Sequence, residues 1–453
     1  MDSMKKVLFL MLALTLIAFC FTGCDTMLSS FGIPLSDGVF EYTLNGDKSS
    51  YTVIGLKEDK AEDIVIPETF KDMPVTAIGN AAFEKSSITG VSIPSSIKRI
   101  GANAFVICKD LCNVTFYGTD IEFDVFAFSH TGIKRISLPE GVTKLEKYMF
   151  SNCESLTEVK LPDSLTVIEE SAFLECKSLE SIDIPSGVEK IGYGAFQRTA
   201  LKNVIIPGSV TELAPTAFSF CEDLSDITVD VKNALYKSED GIVYSKNGES
   251  LLLYPQGKSE EFFSVPQGVT QIGDFAFYYA ENLNNVVLCD GITVIGRDAF
   301  SSCSIRDVIL PDSVVSVSGR AFASCAFMEK AVIGNGVTEI GEEVFESCFR
   351  LKKVVVGESV KSIGERAFAH CNSLLSVVLP SGIETIGINA FGNCKSMKSV
   401  FFNGNAEEWK SMPVSPECGD GLVGVDVYCF TESQPVTEGN FWHYNTSGEP
   451  IVW

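Results

Sequence analysis

The chain has 453 residues, 45% of them apolar, which is enough for two to four domains with sizeable cores. Its formal net charge is −24, and a surface that acidic repels phosphate backbones, so the composition argues against a nucleic-acid partner. Fifteen cysteines stand beside only three histidines. In an exported protein so many cysteines would normally indicate disulfides, and their spacing has to decide whether they do so here.

The N-terminus is predicted to be a targeting segment. Lys5 and Lys6 precede the apolar run VLFLMLALTLIAF, which is short for a membrane span and typical of a signal peptide. The run leads into FTGC, which resembles the bacterial lipobox, with Phe21 where Leu is usual. The resemblance implies that residues 1–23 are a lipoprotein signal peptide, that Cys24 is lipidated, and that residues 24–37 link a membrane anchor to the fold. An ordinary secretory signal with a chance cysteine is the alternative.

Phenylalanines then recur at a fixed spacing, each preceded by Ala or another apolar residue. A constant period of 22 or 23 residues, interrupted by one interval of 59, indicates a solenoid whose units bury their apolar faces against each other. The unit is I/L-P-x-x-V-x-x-I-G-x-x-A-F-x-x-C-x-x-L-x-x-V, as in LPDSLTVIEESAFLECKSLESI at 161–182. The repeated residues are Phe83, Phe105, Phe128, Phe150, Phe173, Phe196, Phe218, Phe277, Phe300, Phe322, Phe345, Phe368 and Phe391.

Each part of the unit predicts a local structure. LxxVxIP alternates apolar residues and ends in Pro, so it indicates a short strand. VxxIG indicates a second short strand that ends at Gly, and xxAFxxC a tight helical turn that directs Phe and Cys inward. The sequence therefore predicts a mainly-β solenoid with a short helical turn in each repeat of 22–23 residues.

The remaining segments close or interrupt the repeats. The segment before the first repeat lacks the Ala-Phe pair of the repeat unit, and its sequence predicts a β-hairpin that caps the first coil. Two β-rich runs around Asn247-Gly248 predict a second hairpin, inserted between repeats. The solenoid is expected to continue across that insertion. The predicted boundaries are 38–78 for the N-terminal cap, 79–230 and 263–405 for the repeats, 231–262 for the inserted β-hairpin and 406–453 for a C-terminal cap or tail.

With thirteen copies in register, the repeats resemble the BspA-type (Treponema pallidum-type) leucine-rich repeat of bacterial surface proteins, over about residues 60–405. The segment VYCFTESQPVTEGNFWHY at 427–444 also resembles segments of such proteins. The resemblance implies a leucine-rich-repeat solenoid whose concave strand face binds protein or glycan ligands at the surface of a host or neighbouring cell. Several members of the family are described as adhesins, and their ligands differ.

The cysteines mostly belong to the repeat. Nine occupy the slot three residues after the Phe, and equivalent residues of adjacent coils lie about 4.8 Å apart with parallel side chains. Metal ligands must converge on one point, and disulfide partners must point toward each other, so the sequence predicts small buried thiols. A disulfide between Cys418 and Cys429 stays open. The nine are Cys108, Cys153, Cys176, Cys221, Cys303, Cys325, Cys348, Cys371 and Cys394.

One slot of the first strand is a candidate binding surface. The residue after the central Val faces outward by alternation, and it is apolar in the last six coils. Each strand has a second outward slot two residues before this apolar residue, and that slot holds Lys330 and Lys353 in two of these coils. Large exposed apolar patches usually have a use, so we hypothesise that this stripe binds a partner; the alternative is that β-branched residues simply stack well in a ladder. The apolar stripe comprises Val287, Ile309, Val332, Val355, Val378 and Phe401.

The sequence offers no catalytic constellation. His130, His370 and His443 are scattered, and no HExxH, GxSxG or paired-carboxylate motif occurs. His370 precedes Cys371 only because a variable slot adjoins the cysteine slot. We expect a non-enzymatic adhesion or binding protein, without cofactor or metal, on the bacterial surface. A structural spacer of the envelope and an uncharacterised hydrolase are the alternatives.

Overall fold

The computed structural model describes residues 34–411, 420–422, 424–435, 439–446 and 449–453. The predicted signal peptide and Cys24 lie outside these residues. The chain divides into two compact units. The first comprises the residues up to Ala200 with Glu212–Phe218, and the second comprises Leu201–Thr211 with Ser219–Trp453.

The predicted pair of strands is present in most coils, and the strands pair in parallel between neighbouring coils. The coil that contains Lys190–Ile191 has only this second strand. We call the strands of the LxxVxIP segment the long ladder and those of VxxIG the short ladder. In the first unit the long ladder comprises Asp63–Val65, Gly90–Ile93, Asn113–Phe116, Arg135–Ser137 and Glu158–Lys160. The short ladder there comprises Arg99–Ile100, Glu122–Phe123, Lys144–Leu145, Val167–Ile168, Lys190–Ile191 and Glu212–Leu213.

The second unit repeats this arrangement, and equivalent residues face each other in register, as Val332 faces Val355. Its long ladder comprises Asn203–Ile206, Asp226–Val229, Phe262–Ser264, Asn285–Val287, Asp307–Ile309, Lys330–Val332, Lys353–Val355, Ser376–Leu379 and Ser399–Phe402. Its short ladder comprises Ser250–Leu253, Gln271–Ile272, Val294–Ile295, Ser316–Val317, Glu339–Ile340, Ser362–Ile363 and Thr385–Ile386.

The xxAFxxC part of each repeat, which we call the AF segment, forms a turn with left-handed residues. It does not form the helical turn that the sequence predicts. Residues two before and two after the Phe have left-handed backbones, as Glu343 (φ 56°) and Ser347 (φ 61°) do around Phe345. The N–H groups of all three residues donate to carbonyls of the next coil, over 2.8–2.9 Å. A helix would direct these donors along its own axis, so the alternating backbone is what joins neighbouring coils along this side.

The repeated Phe rings are buried, as predicted, and they also stack on one another. Within the first unit the ring centroids from Phe83 to Phe218 are 5.1–5.7 Å apart, with nearly parallel planes. Within the second unit the stack runs to Phe391 and begins at Tyr254, whose ring lies 5.0 Å from that of Phe277. Tyr254 therefore occupies a Phe position that the sequence pattern did not reveal.

The inserted segment forms the predicted hairpin, but it also supplies part of a coil. The strands Ile242–Ser245 and Ser250–Leu253 pair antiparallel around the turn at Asn247-Gly248, and Tyr236–Glu239 pairs with the first of them. Ser250–Leu253 also pairs in parallel with Gln271–Ile272. The insertion thus contains a short-ladder strand and, at Tyr254, a core ring.

The two ends add their own strands. The predicted N-terminal hairpin is present, and its sheet begins inside the predicted linker, comprising Leu35–Ser36, Phe40–Leu44, Tyr51–Leu56, Thr69–Phe70 and Met73–Ile78. The C-terminal tail contains the α-helix Ala406–Ser411, the 3₁₀ helix Asp420–Leu422 and the strands Asp426–Phe430, Phe441–Tyr444 and Pro450–Val452. The tail strands extend the long ladder beyond Ser399–Phe402.

Candidate binding surface

The apolar stripe is a continuous column of side chains, but its exposure changes along the column. From Ile309 onward its members face each other in register. Val287 and Ile309 are 49% and 65% exposed. Val332 and Val355 are half-buried, whereas Val378 and Phe401 are 1% and 9% exposed. The expectation of six exposed residues is therefore wrong at Val378 and Phe401.

The tail covers these two residues. Trp442 is completely buried and packs with Val378 and Phe401 in a small cluster outside the main core. Its ring centroid lies 5.5 Å from that of Phe401, and its Nε1–H donates to the carbonyl of Phe402 over 3.0 Å. We call the paired strands Phe441–Tyr444 and Pro450–Val452, together with Glu449, the C-terminal flap. Alternation fixes which side of a strand a residue occupies, but not what packs on that side.

The flap also binds the two lysines of the neighbouring slot. The carboxylate of Glu449 lies 2.6 Å from Nζ of Lys353 and 3.9 Å from Nζ of Lys330. The hydrogen bond and charge of Lys353 hold the pKa of Glu449 below its usual value. Lys330 and Lys353 are therefore held by the tail, and the uncovered part of the candidate surface consists of Val287, Ile309 and the half-buried valines.

The column cysteines are buried thiols, as predicted, and the structure adds a role for them. The Sγ–H of Cys348 donates to the carbonyl of Phe322 in the preceding coil over 3.2 Å, and Cys108, Cys153, Cys176, Cys303, Cys325, Cys371 and Cys394 repeat this contact at 2.8–3.2 Å. Desolvation raises the pKa of Cys108 to about 12 and that of Cys153 to about 11. The column cysteines therefore serve as compact buried donors that join neighbouring coils.

Among the described residues, the cysteines outside the column do not build a site. Cys429 is a free, buried thiol, and Cys418 lies outside the described residues. The hydroxyl of Ser129 lies 2.8 Å from Nδ1 of His130, but Ser129 is completely buried and its hydroxyl also bonds Ser151. A buried hydroxyl is poorly placed to attack a substrate.

The rest of the described surface offers weaker candidates. Within the described ranges no cluster of three or more His, Cys, Asp or Glu side chains could hold a metal ion. A groove of about 380 Å³ in the first unit is lined by charged residues, including Asp120, Glu122 and Lys144. Ligand pockets are predominantly apolar, so this polar groove is a weaker candidate than the stripe.

The repeat pattern matches a known family over most of the chain. The model of the BspA-type leucine-rich repeat region matches residues 76–199, 146–247, 256–375 and 361–413. The chain belongs to the BspA-type leucine-rich repeat family. No protein of curated function matches the sequence significantly.

Solved structures support the same fold. A leucine-rich cell surface protein from Faecalibacterium prausnitzii is 29% identical, with a TM-score of 0.56, covering 84% of this chain and 97% of the other. A leucine-rich repeat protein from Eubacterium ventriosum is 22% identical, with a TM-score of 0.60, covering 80% and 88%. The pneumococcal vaccine antigen PcpA is 20% identical, with a TM-score of 0.63, covering 87% and 98%. Among the described residues no helix is long and apolar enough to span a bilayer.

Proposed function

We propose that this BspA-type protein is a non-enzymatic binding or adhesion protein of the bacterial surface. In this proposal it is exported, anchored through a lipid on Cys24, and contacts a protein or glycan of a host or neighbouring cell with the outward face of the long ladder. The similarity to a structure described as a cell surface protein supports the location.

The exposure of Val287 and Ile309 carries the proposal. Both are about half or more exposed in adjacent coils, and Val332 and Val355 continue the same column. An apolar surface of this kind favours burial against a partner, at about 25 cal/mol for each Å² removed from water. The apolar stripe therefore fits a protein partner better than it fits a strongly polar ligand.

The test is a paired substitution on the uncovered part of the stripe. We expect Val287→Glu with Ile309→Glu to abolish saturable binding to the proteins of an array of matrix proteins and glycans, probed with the soluble chain that starts after Cys24. The matched control is Val65→Glu with Ile205→Glu, because these residues occupy the same slot and are 69% and 64% exposed but lie apart from the stripe.

The circular dichroism of all variants should be unchanged, since the substituted side chains are exposed. Equal binding by the stripe variant and the parent would remove the stripe as the binding surface. Absence of saturable binding by the parent chain would favour the spacer role. The anchor is tested separately: Cys24→Ala should release the protein from the membrane fraction, and retention would contradict lipidation at this residue.

A further inference from the structure

A second surface lies beside the long ladder of the second unit, where the loops after the column cysteines meet the strands. It combines four cations with two exposed aromatic rings, on a chain whose formal net charge is −24. We call it the basic edge. It comprises Arg306, Phe327, Phe349, Arg350, Lys352 and Lys398.

The rings and cations of the basic edge are arranged together. Phe327 and Phe349 are 45% and 46% exposed, and the guanidinium of Arg350 lies 5.0 Å from the ring centroid of Phe327. Stacking of this kind orients an Arg side chain without neutralising its charge. Both rings belong to loops of neighbouring coils, and the other coils have no exposed Phe at these positions.

The carboxylate of Glu329 lies among the cations of the basic edge. Nζ of Lys352 is 2.7 Å from the carboxylate of Glu329. This hydrogen bond, with the charges of Lys352, Arg350 and Arg306, lowers the pKa of Glu329. The exposed carboxylates of Asp307 and Asp426 adjoin Arg306 and Lys398, so the four cations face three carboxylates. The edge keeps an excess of positive charge, which favours a further anionic group.

Main-chain hydrogen bonds place three cations of the basic edge, Arg306, Lys352 and Lys398, in one row that also contains Glu329 and Leu375. The N–H of Glu329 donates to the backbone carbonyl of Arg306, and that of Lys352 to the carbonyl of Glu329. The N–H of Leu375 donates to the carbonyl of Lys352, and that of Lys398 to the carbonyl of Leu375, over 2.6–2.9 Å in all four bonds. Residues of the row are therefore about 4.8 Å apart from coil to coil. Because these N–H groups already bond within the solenoid, the row presents side chains to a ligand and no sheet edge to which an extended peptide could add.

We propose that the basic edge binds an anionic polysaccharide, one that carries carboxylate or sulfate groups. Arg and Lys side chains bond these groups, and the exposed Phe rings offer flat apolar surfaces to the C–H faces of sugar rings. A single polymer strand can follow the row while avoiding the acidic remainder of the chain. An anionic membrane or a nucleic acid duplex presents a broader charged surface, which the rest of the chain repels.

The test compares the parent chain with Arg306→Gln/Arg350→Gln/Lys352→Gln. The probes are heparin as a sulfated and hyaluronate as a carboxylated polysaccharide, with dextran as a neutral and poly-glutamate as a peptide comparator. The matched control is Lys98→Gln/Lys109→Gln/Lys134→Gln, which removes three exposed cations from the first unit. We expect the edge variant to lose about tenfold or more in affinity for heparin or hyaluronate, and the control to retain it.

A second variant tests the rings. Phe327→Ser/Phe349→Ser should weaken binding while leaving its salt dependence unchanged, whereas the cation variant should reduce the salt dependence. Equal losses in the edge and control variants, no binding by the parent, or poly-glutamate binding as tight as that of the polysaccharide would each overturn the proposal. Val287→Ser/Ile309→Ser, which removes the apolar side chains without adding charge near Arg306, should leave polysaccharide binding intact, so this proposal and the function of the stripe fail independently.

Discussion

Trp442 is predicted to hold the C-terminal flap over the apolar stripe, and Trp442→Ala tests this. The substitution removes a completely buried indole that contacts Phe401 and Phe430, and with it the hydrogen bond to the carbonyl of Phe402. Replacement of a buried aromatic residue by Ala costs about 3–5 kcal/mol, which includes about 1 kcal/mol for such a hydrogen bond. Because solenoid stability is largely a sum of local terms, the loss should fall on the flap and not on the coils.

Amide hydrogen exchange measures this difference directly. The N–H groups of Cys429 and Thr431 donate to carbonyls of Asn440 and Trp442, so their protection reports docking of the flap. A loss of about 3–5 kcal/mol corresponds to about 10²-fold to several 10³-fold faster exchange at these amides. The amide of Phe345, which bonds Ala367 in the core, should exchange as before. Binding of an apolar fluorescent dye should rise as Val378 and Phe401 become exposed.

Trp453→Ala is the matched control. Trp453 stacks on His443 but is 41% exposed, so its removal should change exchange at Cys429 and Thr431 only slightly. Equal acceleration in both variants, or none in Trp442→Ala, would refute the assignment of Trp442 as the residue that docks the flap.

Three further predictions concern the Phe column, the cysteines and the ion pair of the flap. Phe345→Ala should lower the free energy of unfolding by about 3–5 kcal/mol in denaturant titrations, whereas Phe349→Ala, at an exposed position, should change it little. In the native protein a thiol reagent should modify Cys112, which is partly exposed, well before the column cysteines, which are buried. Burial also raises the pKa of Cys108, Cys153 and Cys176. The contact with Lys353 lowers the pKa of Glu449, so the ionised carboxylate stabilises the docked flap. Docking should be at full strength above about pH 4.3, the usual pKa of Glu, and should weaken as the pH falls through the lowered pKa. Glu449→Gln should abolish this pH dependence in hydrogen-exchange measurements.

Much of the scaffold follows from sequence because its signals are local and repeated. Thirteen copies average out individual exceptions, so the inward Phe and Cys columns and the two strands per coil are visible without a structure. The left-handed turn had a signal as well: Asn103, Asn152, Asp298 and Asn393 occupy left-handed positions and tolerate them better than most residues. Aromatic, basic and acidic residues at the same positions in other coils hide that signal.

The candidate surface was only partly predictable, because burial there depends on distant contacts. Val355 and Val378 are adjacent members of one column with the same local pattern, yet the second is buried under a residue more than sixty positions away in sequence. The segment around Trp442 shares no period with the repeats, so the pattern does not indicate where it packs. Tyr254 was missed for a related reason, since the inserted hairpin displaces the AF-x-x-C context that marks a core ring.

The difference between periodic and non-periodic residues also indicates where recognition resides. A residue type required in every coil, such as the Phe or the buried Cys, satisfies a demand of stacking that every coil shares. A ligand touches only a few coils, so its specificity must come from residues that occur in those coils and not in the others. Phe327 and Phe349 are exposed and confined to neighbouring coils of the second unit, and stacking does not explain them. Val287 and Ile309 are exposed in consecutive coils, whereas the other exposed apolar residues of their slot, Val65 and Ile205, stand singly. They are the positions at which substitution should separate binding from folding.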